Sequence, residues 1–465
     1  MLQVLYDVSL LGIAHRNRST FGLSRTTEAL LRSLMAMPDE LKLSACSDVS
    51  YNVWLFSRLY LAQQPLHEPL PWLSNSLNVR LRNQIKDWFL KDALFTKYVA
   101  QLKKIGVLQD EARAYEWRLK FLEYQFRGTP QRSLAPMDIY HSNYHAIPEC
   151  VQRHKKVKAI LTVHDIIPIL HPEWCGMLDS KPGKSSDLFR RRSLSGVEGS
   201  GAEGNSKAFH PEFNLPATLA GLRRHNWIIC PSETTRHDVC EYLAQRIDPA
   251  QVRVIPWAAS ALFYPCTDPA QLRQVRQTYQ IPDGHYLLSL SAIEPRKNLD
   301  TLIGSFYRLL QQERISDLWL VLAGPLGWDY AGVFQAVSKH PQLAARIIFT
   351  GYVAEADIAA LYSAALAFVY PSLYEGFGLP PLEAMQCGTP VITSAVSSLP
   401  EVVGTAGLLV NPRDTEALAA SILKLYRSPA LRAELSRKGI ERAACFSWQQ
   451  CAQQTVELYQ QALEA

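Results

Sequence analysis

YPSLYEGFGLPPLEAMQCGTPVITS, residues 370–394, carries strand, loop, helix and strand signals in succession. An apolar run ending near Tyr370 breaks into Glu375-Gly376-Phe377-Gly378. Pro380 and Pro381 then open a helix, where proline is tolerated because the N–H groups of a first helical turn have no intrahelical partner. Gly388 ends that helix, and Pro390 leads into an apolar strand. Glu375 therefore sits on a loop at the carboxyl end of a strand, where ligands bind in open parallel sheets. Glu383 falls eight residues later, inside the helix. Between the two carboxylates lie backbone N–H groups that Gly376 and Gly378 leave accessible, near the positive end of a helix dipole. The arrangement suits a ligand with hydroxyls at two ends and negative charge between, because a carboxylate can accept two hydroxyl hydrogen bonds at once. A structural glycine loop with solvated glutamates fits the local pattern equally well.

The same rhythm extends outward. Residues 286–292, 317–324, 346–351 and 365–372 read as apolar strands, and 390–394 as another. Helices fit at 298–312, with Leu299, Leu302, Ile303, Phe306, Leu309 and Leu310 on one face and Asn298 as its N-cap, and at 354–365. Continuous apolar strands alternating with helices predict a parallel sheet covered on both faces. This places a doubly wound α/β domain at 272–440. Residues 1–265 show a looser version, with strands at 2–9, 42–47, 138–142, 158–165, 227–232 and 252–258 and helices at 23–36 and 233–245. Two stretches interrupt it: 50–135, aromatic and basic with helical spacing, and 176–210, Ser/Gly-rich and read as a mobile loop. Residues 441–465 predict an amphipathic helix with Trp448, Ala452, Val456, Tyr459 and Leu463 on one face, able to pack on either domain.

SAIEPRKNLDTL, residues 291–302, puts Arg296 and Lys297 between a strand end and a helix start. Two cations at a helix N-terminus oppose its dipole unless an anion joins them, and a diphosphate would serve. A solvated surface pair is the plainer alternative.

Composition bounds the function. The chain has 465 residues, 48% hydrophobic and 20% charged, enough for two or more cores. A net charge of +5 does not call for nucleic acid but allows basic patches for phosphate or anionic lipid. Nine scattered cysteines without a C-x-x-C pair argue against a zinc site or disulfide framework and fit a reducing cytoplasm. The first residues read as a strand rather than a signal peptide, and no apolar run approaches the length of a membrane span.

E-G-F-G-L-P-P-L-E with its E-x7-E spacing, joined to E-P-R-K-N about 80 residues upstream, resembles the retaining glycosyltransferases of family 4. The F-S-W before the last helix is similar to the start of that family's helix crossing back to the N-terminal domain. The resemblance is strong over 275–460, thinner over 1–50 and 138–260, and absent from 50–135 and 176–210. It implies the GT-B fold, two Rossmann-like domains facing across a cleft. It also implies that Glu375, with backbone N–H groups of Gly376, Phe377 and Gly378 and with Leu379 following, holds the donor sugar. Glu383 would hold the ribose, and Arg296 and Lys297 the diphosphate and the charge that grows on it. LTVHD, 161–165, resembles the family's T-x-H-D strand, which places His164 against the donor sugar and Asp165 on the acceptor side. STFGLSR, 19–25, matches the family's glycine loop only in part: Gly22 is present, Phe21 stands where a second glycine is common, and Arg25 fits a Gly-x-x-Arg pattern near the acceptor. Ser232 is read as structural or nucleotide-adjacent.

The resemblance implies a nucleotide-diphosphate sugar as donor, no protein nucleophile, no metal and no other cofactor. The wording of 370–404 resembles the mannosyltransferase-like branch, so GDP-mannose is the first expectation; UDP-glucose, UDP-N-acetylglucosamine and a dTDP-deoxysugar stay open. A glycan or lipid-linked acceptor in polysaccharide assembly is expected. Residues 79–132, with twelve Lys/Arg against six Asp/Glu and interleaved aromatics, offer contact with an anionic membrane surface or form an inserted helical subdomain. A protein-modifying glycosyltransferase and a non-catalytic nucleotide-sugar-binding relative are the rival readings.

Overall fold

The computed structural model describes residues 1–16, 22–47, 49, 51–63, 71, 134–175 and 214–465. These contain two six-stranded sheets, parallel throughout. The first joins β1 (Leu2–Asp7), β2 (Leu41–Cys46), β3 (Ile139–Ser142), β4 (Lys158–Thr162), β5 (Trp227–Cys230) and β6 (Val252–Val254) in the order β2-β1-β3-β4-β5-β6. The second joins β7 (His285–Leu290), β8 (Leu318–Ala323), β9 (Ile347–Gly351), β10 (Ala367–Tyr370), β11 (Val391–Ser394) and β12 (Gly407–Val410) in the order β12-β11-β10-β7-β8-β9. The central strands β3, β5, β10 and β11 are buried along their whole length, as apolar strands covered on both faces must be. In each sheet the strand order reverses once, between β1 and β3 and between β7 and β10. Those switch points open crevices at the carboxyl ends of the strands.

The strands are shorter than their apolar runs. β4 pairs with β5 only as far as Thr162 and Ile229, so His164 and Asp165 leave the ladder at its carboxyl end. β12 has no counterpart in the sequence reading: its apolar run, residues 408–410, is too short for periodicity to mark it, and the edge strand is half-exposed. Asn298 stands at the start of the helix Leu299–Glu313 but does not cap it. It adopts a left-handed conformation (φ 56°), which asparagine tolerates, and its Nδ2 donates to Pro371 O (3.0 Å) and Pro412 O (2.7 Å). It thus ties the loop after β7 to the loop after β10.

The helix Tyr51–Gln63 packs on the helix Ser9–Arg16, where a Cβ on Gly12 would lie 2.1 Å from Ser57 Oγ. The remainder of 50–135, with its basic-aromatic stretch, and all of 176–210 lie outside the described residues. One apolar cluster runs through both halves and includes Leu34, Ile229, Trp257 and Phe263 with Tyr362, Phe377, Leu399 and Val456. Each such side chain contributes about 1.5–3 kcal/mol on full burial, so the halves share a core rather than a wet seam. The last helix, Trp448–Glu464, is capped by Ser447 and buries Ala452, Val456 and Tyr459. It lies along the helix Gly22–Met35, and Tyr459 OH reaches His141 Nδ1 of β3 at 2.6 Å. Among the described residues no helix is long and apolar enough to cross a membrane.

Candidate active site

The turn Pro295–Lys297 follows β7, and the loop 371–378 follows β10. Because β7 and β10 are neighbours at the switch point, Arg296 and Lys297 meet Glu375. Lys297 Nζ lies 2.6 Å from Glu375 Oε1, and Arg296 Nη1 2.6 Å from Oε2. Oε1 also accepts from Tyr370 OH (2.8 Å) and Ser372 Oγ (2.6 Å). Arg296 Nη2 donates to Glu294 Oε1 at 2.9 Å. Glu375 and Lys297 are both buried. Burial alone would raise the Glu375 carboxyl, but Arg296 first and Lys297 next hold it well below the usual carboxylate range. Burial and the neighbouring Arg296 lower Lys297, with Glu375 opposing them. The two cations are thus paired with Glu375 in this structure, and the pair of positive charges is balanced by Glu375 and Glu294.

The loop after β10 spends its carbonyls inside the protein. Arg296 and Ser372 donate to Tyr374 O, Ser398 Oγ donates to Glu375 O and Phe377 O, and Ser232 and Thr235 donate to Gly376 O. No described residue accepts from the N–H groups of Gly376, Phe377 or Gly378. They form a run of donors next to Glu375 and the start of the helix Leu379–Gln386, suited to an anion or to sugar oxygens. Gly378 has φ 112°, open only to glycine at low cost. The Phe377 side chain is buried against Trp257, with centroids 5.6 Å apart, so only its backbone faces the loop's ligand side; Leu379 is half-buried against the same core.

Glu383 is nearly buried, and burial raises its carboxyl pKa. Tyr362 OH donates to its Oε2 at 3.3 Å, and Arg25 Nη2 of the N-terminal domain lies 3.5 Å from its Oε1. Arg25, assigned by resemblance to the acceptor side, is thus joined across the cleft to the carboxylate assigned to the ribose. Gly22 opens the helix that carries Arg25, and a Cβ there would meet nothing within 4 Å.

His164 and Asp165 lie directly against Gly376: a Cβ on that glycine would sit 2.2 Å from His164 O and 2.7 Å from Asp165 Cβ. His164 Nε2 donates to Asn143 O at 2.5 Å, which fixes the tautomer and leaves Nδ1 as a buried acceptor with no hydrogen-bond partner among the described residues. Burial lowers this histidine to about 4, so it is neutral at pH 7. Asp165 Oδ1 accepts from Ile167 N, and burial raises its carboxyl, with Arg296 opposing.

Sequence reasoning missed Glu294, Tyr370, Ser372, Tyr362 and Ser398. The first three sit beside singled-out residues in EPRK and YPSLYE; Tyr362 and Ser398 come from separate elements, outside both of those motifs. Among the described residues no group of three or more His, Cys, Asp or Glu is placed to hold a metal ion.

A family model described as glycosyl transferases group 1 matches residues 273–442, the stretch that contains both site loops. These residues are similar to glycosyl transferases group 1. The chain is 43% identical over 191 residues to the O-antigen chain mannosyltransferase B of Escherichia coli, covering 41% of this chain and 50% of that protein. It is 34% identical over 249 residues to the serotype-specific mannosyltransferase WbdA of Escherichia coli, covering 53% of this chain and 30% of that protein. The chain therefore spans half or less of these curated relatives. The structure of Anabaena Alr3699/HepE in complex with UDP matches over 98% of this chain and 99% of that one, with a TM-score of 0.59 and 18% identity. At that identity the likeness is one of fold. The stretch that matches the family model is thus the second half of a GT-B fold, whose first half carries His164, Asp165 and Arg25.

Proposed function

We propose that this chain is a retaining, metal-independent mannosyltransferase that moves mannose from GDP-mannose to a glycan or lipid-linked acceptor in polysaccharide assembly. The observation that carries the transferase reading is the buried Glu375–Arg296–Lys297 set at the second sheet's switch point, with free N–H donors beside it and His164 opposite. Mannose is supported by the names of the relatives, an O-antigen chain mannosyltransferase and a serotype-specific mannosyltransferase.

The donor's diphosphate would meet Arg296 and Lys297, whose charge stabilises the leaving group as the glycosidic bond breaks. Glu375 would accept sugar hydroxyls on lone pairs its present donors leave over. It is a poor nucleophile, because each oxygen is paired with a cation and its pKa is depressed. His164 is a weak base, with a pKa of about 4, but its free Nδ1 can accept a sugar hydroxyl. With neither group equipped to take the reacting proton, a donor phosphate oxygen is the base this reading assigns. Glu383 would take the ribose diol. The basic residues of 79–132 would bring the enzyme to an anionic membrane at its cytoplasmic face.

The test is a thermal-shift panel with GDP, UDP, dTDP and ADP, followed by product analysis with GDP-mannose in chelator. A ligand that binds only the native state adds about 2.7 kcal/mol at a hundredfold excess over its Kd. A rise selective for GDP, with chelator-resistant transfer and retained anomeric configuration, is expected. A rise with UDP or dTDP instead discards GDP-mannose, and chelator-sensitive transfer discards the metal-free mechanism.

A further inference from the structure

One helix of the N-terminal domain, Glu233–Leu243, holds the donor loop by hydrogen bonds as well as packing. Ser232 Oγ and Thr235 Oγ1 both donate to Gly376 O, at 2.6 and 2.9 Å. Tyr374 OH donates to Asp238 Oδ2 at 2.8 Å. In return Glu401, from the helix Leu399–Val403 of the other domain, accepts from Glu233 N (2.8 Å), Thr234 N (2.9 Å) and Thr234 Oγ1 (2.6 Å). A helix start whose first N–H groups need acceptors is here capped by the opposite domain's carboxylate. Ser398, three residues before Glu401, holds the carbonyls on either side of Gly376.

We infer that this helix start is a clamp that sets the donor loop, with Ser232, Thr235 and Glu401 as positioning residues. Fixing the Gly376 carbonyl fixes the peptide plane, and in a trans peptide the Phe377 N–H then points the opposite way. Two hydroxyls from the first domain therefore orient one of the donors next to Glu375 only while the domains are in register. The cap by Glu401 maintains that register from the far side of the same helix end. Glycosyl transfer is thereby coupled to the seating of the first domain without a ligand contact from any of the three residues. The inference rests on the reading of the 375–378 loop as the donor-sugar site.

The experiment compares Thr235→Val, Thr235→Ser and Glu401→Gln with the wild-type chain. Glu401→Gln replaces one acceptor oxygen by an amide that opposes the helix N–H groups. Misplacement of a reacting group by an ångström costs about 10- to 100-fold in kcat, and that loss is expected for Thr235→Val and Glu401→Gln. The Kd for GDP or the nucleotide the panel selects stays within about twofold, because the diphosphate groups belong to the other domain. Thr235→Ser restores kcat by restoring the hydroxyl. Wild-type kcat in both loss variants overturns the clamp, as does a nucleotide Kd that weakens in step with kcat. Hydrogen exchange is read in parallel on the amides of 374–378, which exchange faster in Glu401→Gln; unchanged exchange overturns the clamp whether or not the wild-type chain transfers sugar. Absent transfer by the wild-type chain with faster loop exchange in the variant supports the clamp and strikes only at the assigned activity.

Discussion

Glu375 receives three donors on Oε1 and a guanidinium on Oε2, so a substitution there has two consequences of different kind. Glu375→Gln removes the charge that holds Arg296 and Lys297 in place and leaves the buried Lys297 and the half-buried Arg296 without their paired carboxylate. Transfer should fall about 10²–10³-fold through the loss of electrostatic organisation. Stability should fall too, by about 3–5 kcal/mol, the usual result of breaking one side of a buried ion pair. The pH dependence has a definite sign. The native pKa of Glu375 lies below its ordinary value of 4.5, so its contribution is complete above that pH and is lost as pH falls toward the native value. Acid titration by circular dichroism should therefore show a melting temperature that drops below pH 4.5 in the wild-type chain and drops less in Glu375→Gln. Glu383 acts in the opposite sense: its raised pKa weakens folding as pH rises through it. The identity of Glu375, Glu383, Arg296 and Lys297 was readable because each stands in a short motif whose turn chemistry reports its place at a strand or helix end. Their pairing was not readable, since strand order, not spacing, brings the loops after β7 and β10 together.

Among the elements, the last helix depends on one buried polar link. His141 sits in the middle of the first sheet, with Nδ1 at Tyr459 OH and Nε2 at Thr162 Oγ1, 2.7 Å away. Burial lowers its pKa to about 3, so it stays neutral while folded. Tyr459→Phe keeps the ring in its packing and strips the partner from a buried nitrogen. The expected cost is about 1–3 kcal/mol, measured by urea unfolding, with the m-value unchanged. His141 also destabilises the fold as pH falls below its ordinary value of 6.5, because the unfolded chain binds the proton more readily. The amphipathic face of this helix was visible at three-four spacing, and the continuous runs of β7, β8 and β10 were visible as buried strands. β12 was not singled out, because the three apolar residues Leu408, Leu409 and Val410 are too few for periodicity to separate an edge strand from a loop. Asn298 shows the limit of local chemistry: the residue at the expected cap position spends its amide on two distant carbonyls, at Pro371 and Pro412.

At the scale of the whole molecule, the two sheets meet where Gly376 lies against the backbone of His164 and Asp165. This contact joins residues far apart in the chain, as Ser232 and Gly376 are, separated by 144 positions. Motif spacing therefore carries no trace of it, although the glycine itself was singled out. Gly376 does not occupy the left-handed region, so alanine is allowed by its backbone and is excluded only by the neighbouring domain. Gly376→Ala would place a methyl 2.2 Å from His164 O, far inside contact distance and against backbone that cannot rotate away. The loop is pinned in its own domain by Ser398, Arg296 and Lys297, so the strain is relieved most cheaply by opening the cleft. Arg296, Lys297 and the carboxylates on the donor side stay within their own domain, and nucleotide affinity should stay near wild type. Transfer should fall about 100-fold, as expected when His164 and the acceptor side are displaced by an ångström or so. Small-angle scattering should show a larger radius of gyration than the wild-type chain. A variant with the wild-type radius and wild-type transfer would mean that the domains meet at Gly376 without needing to close there for the reaction.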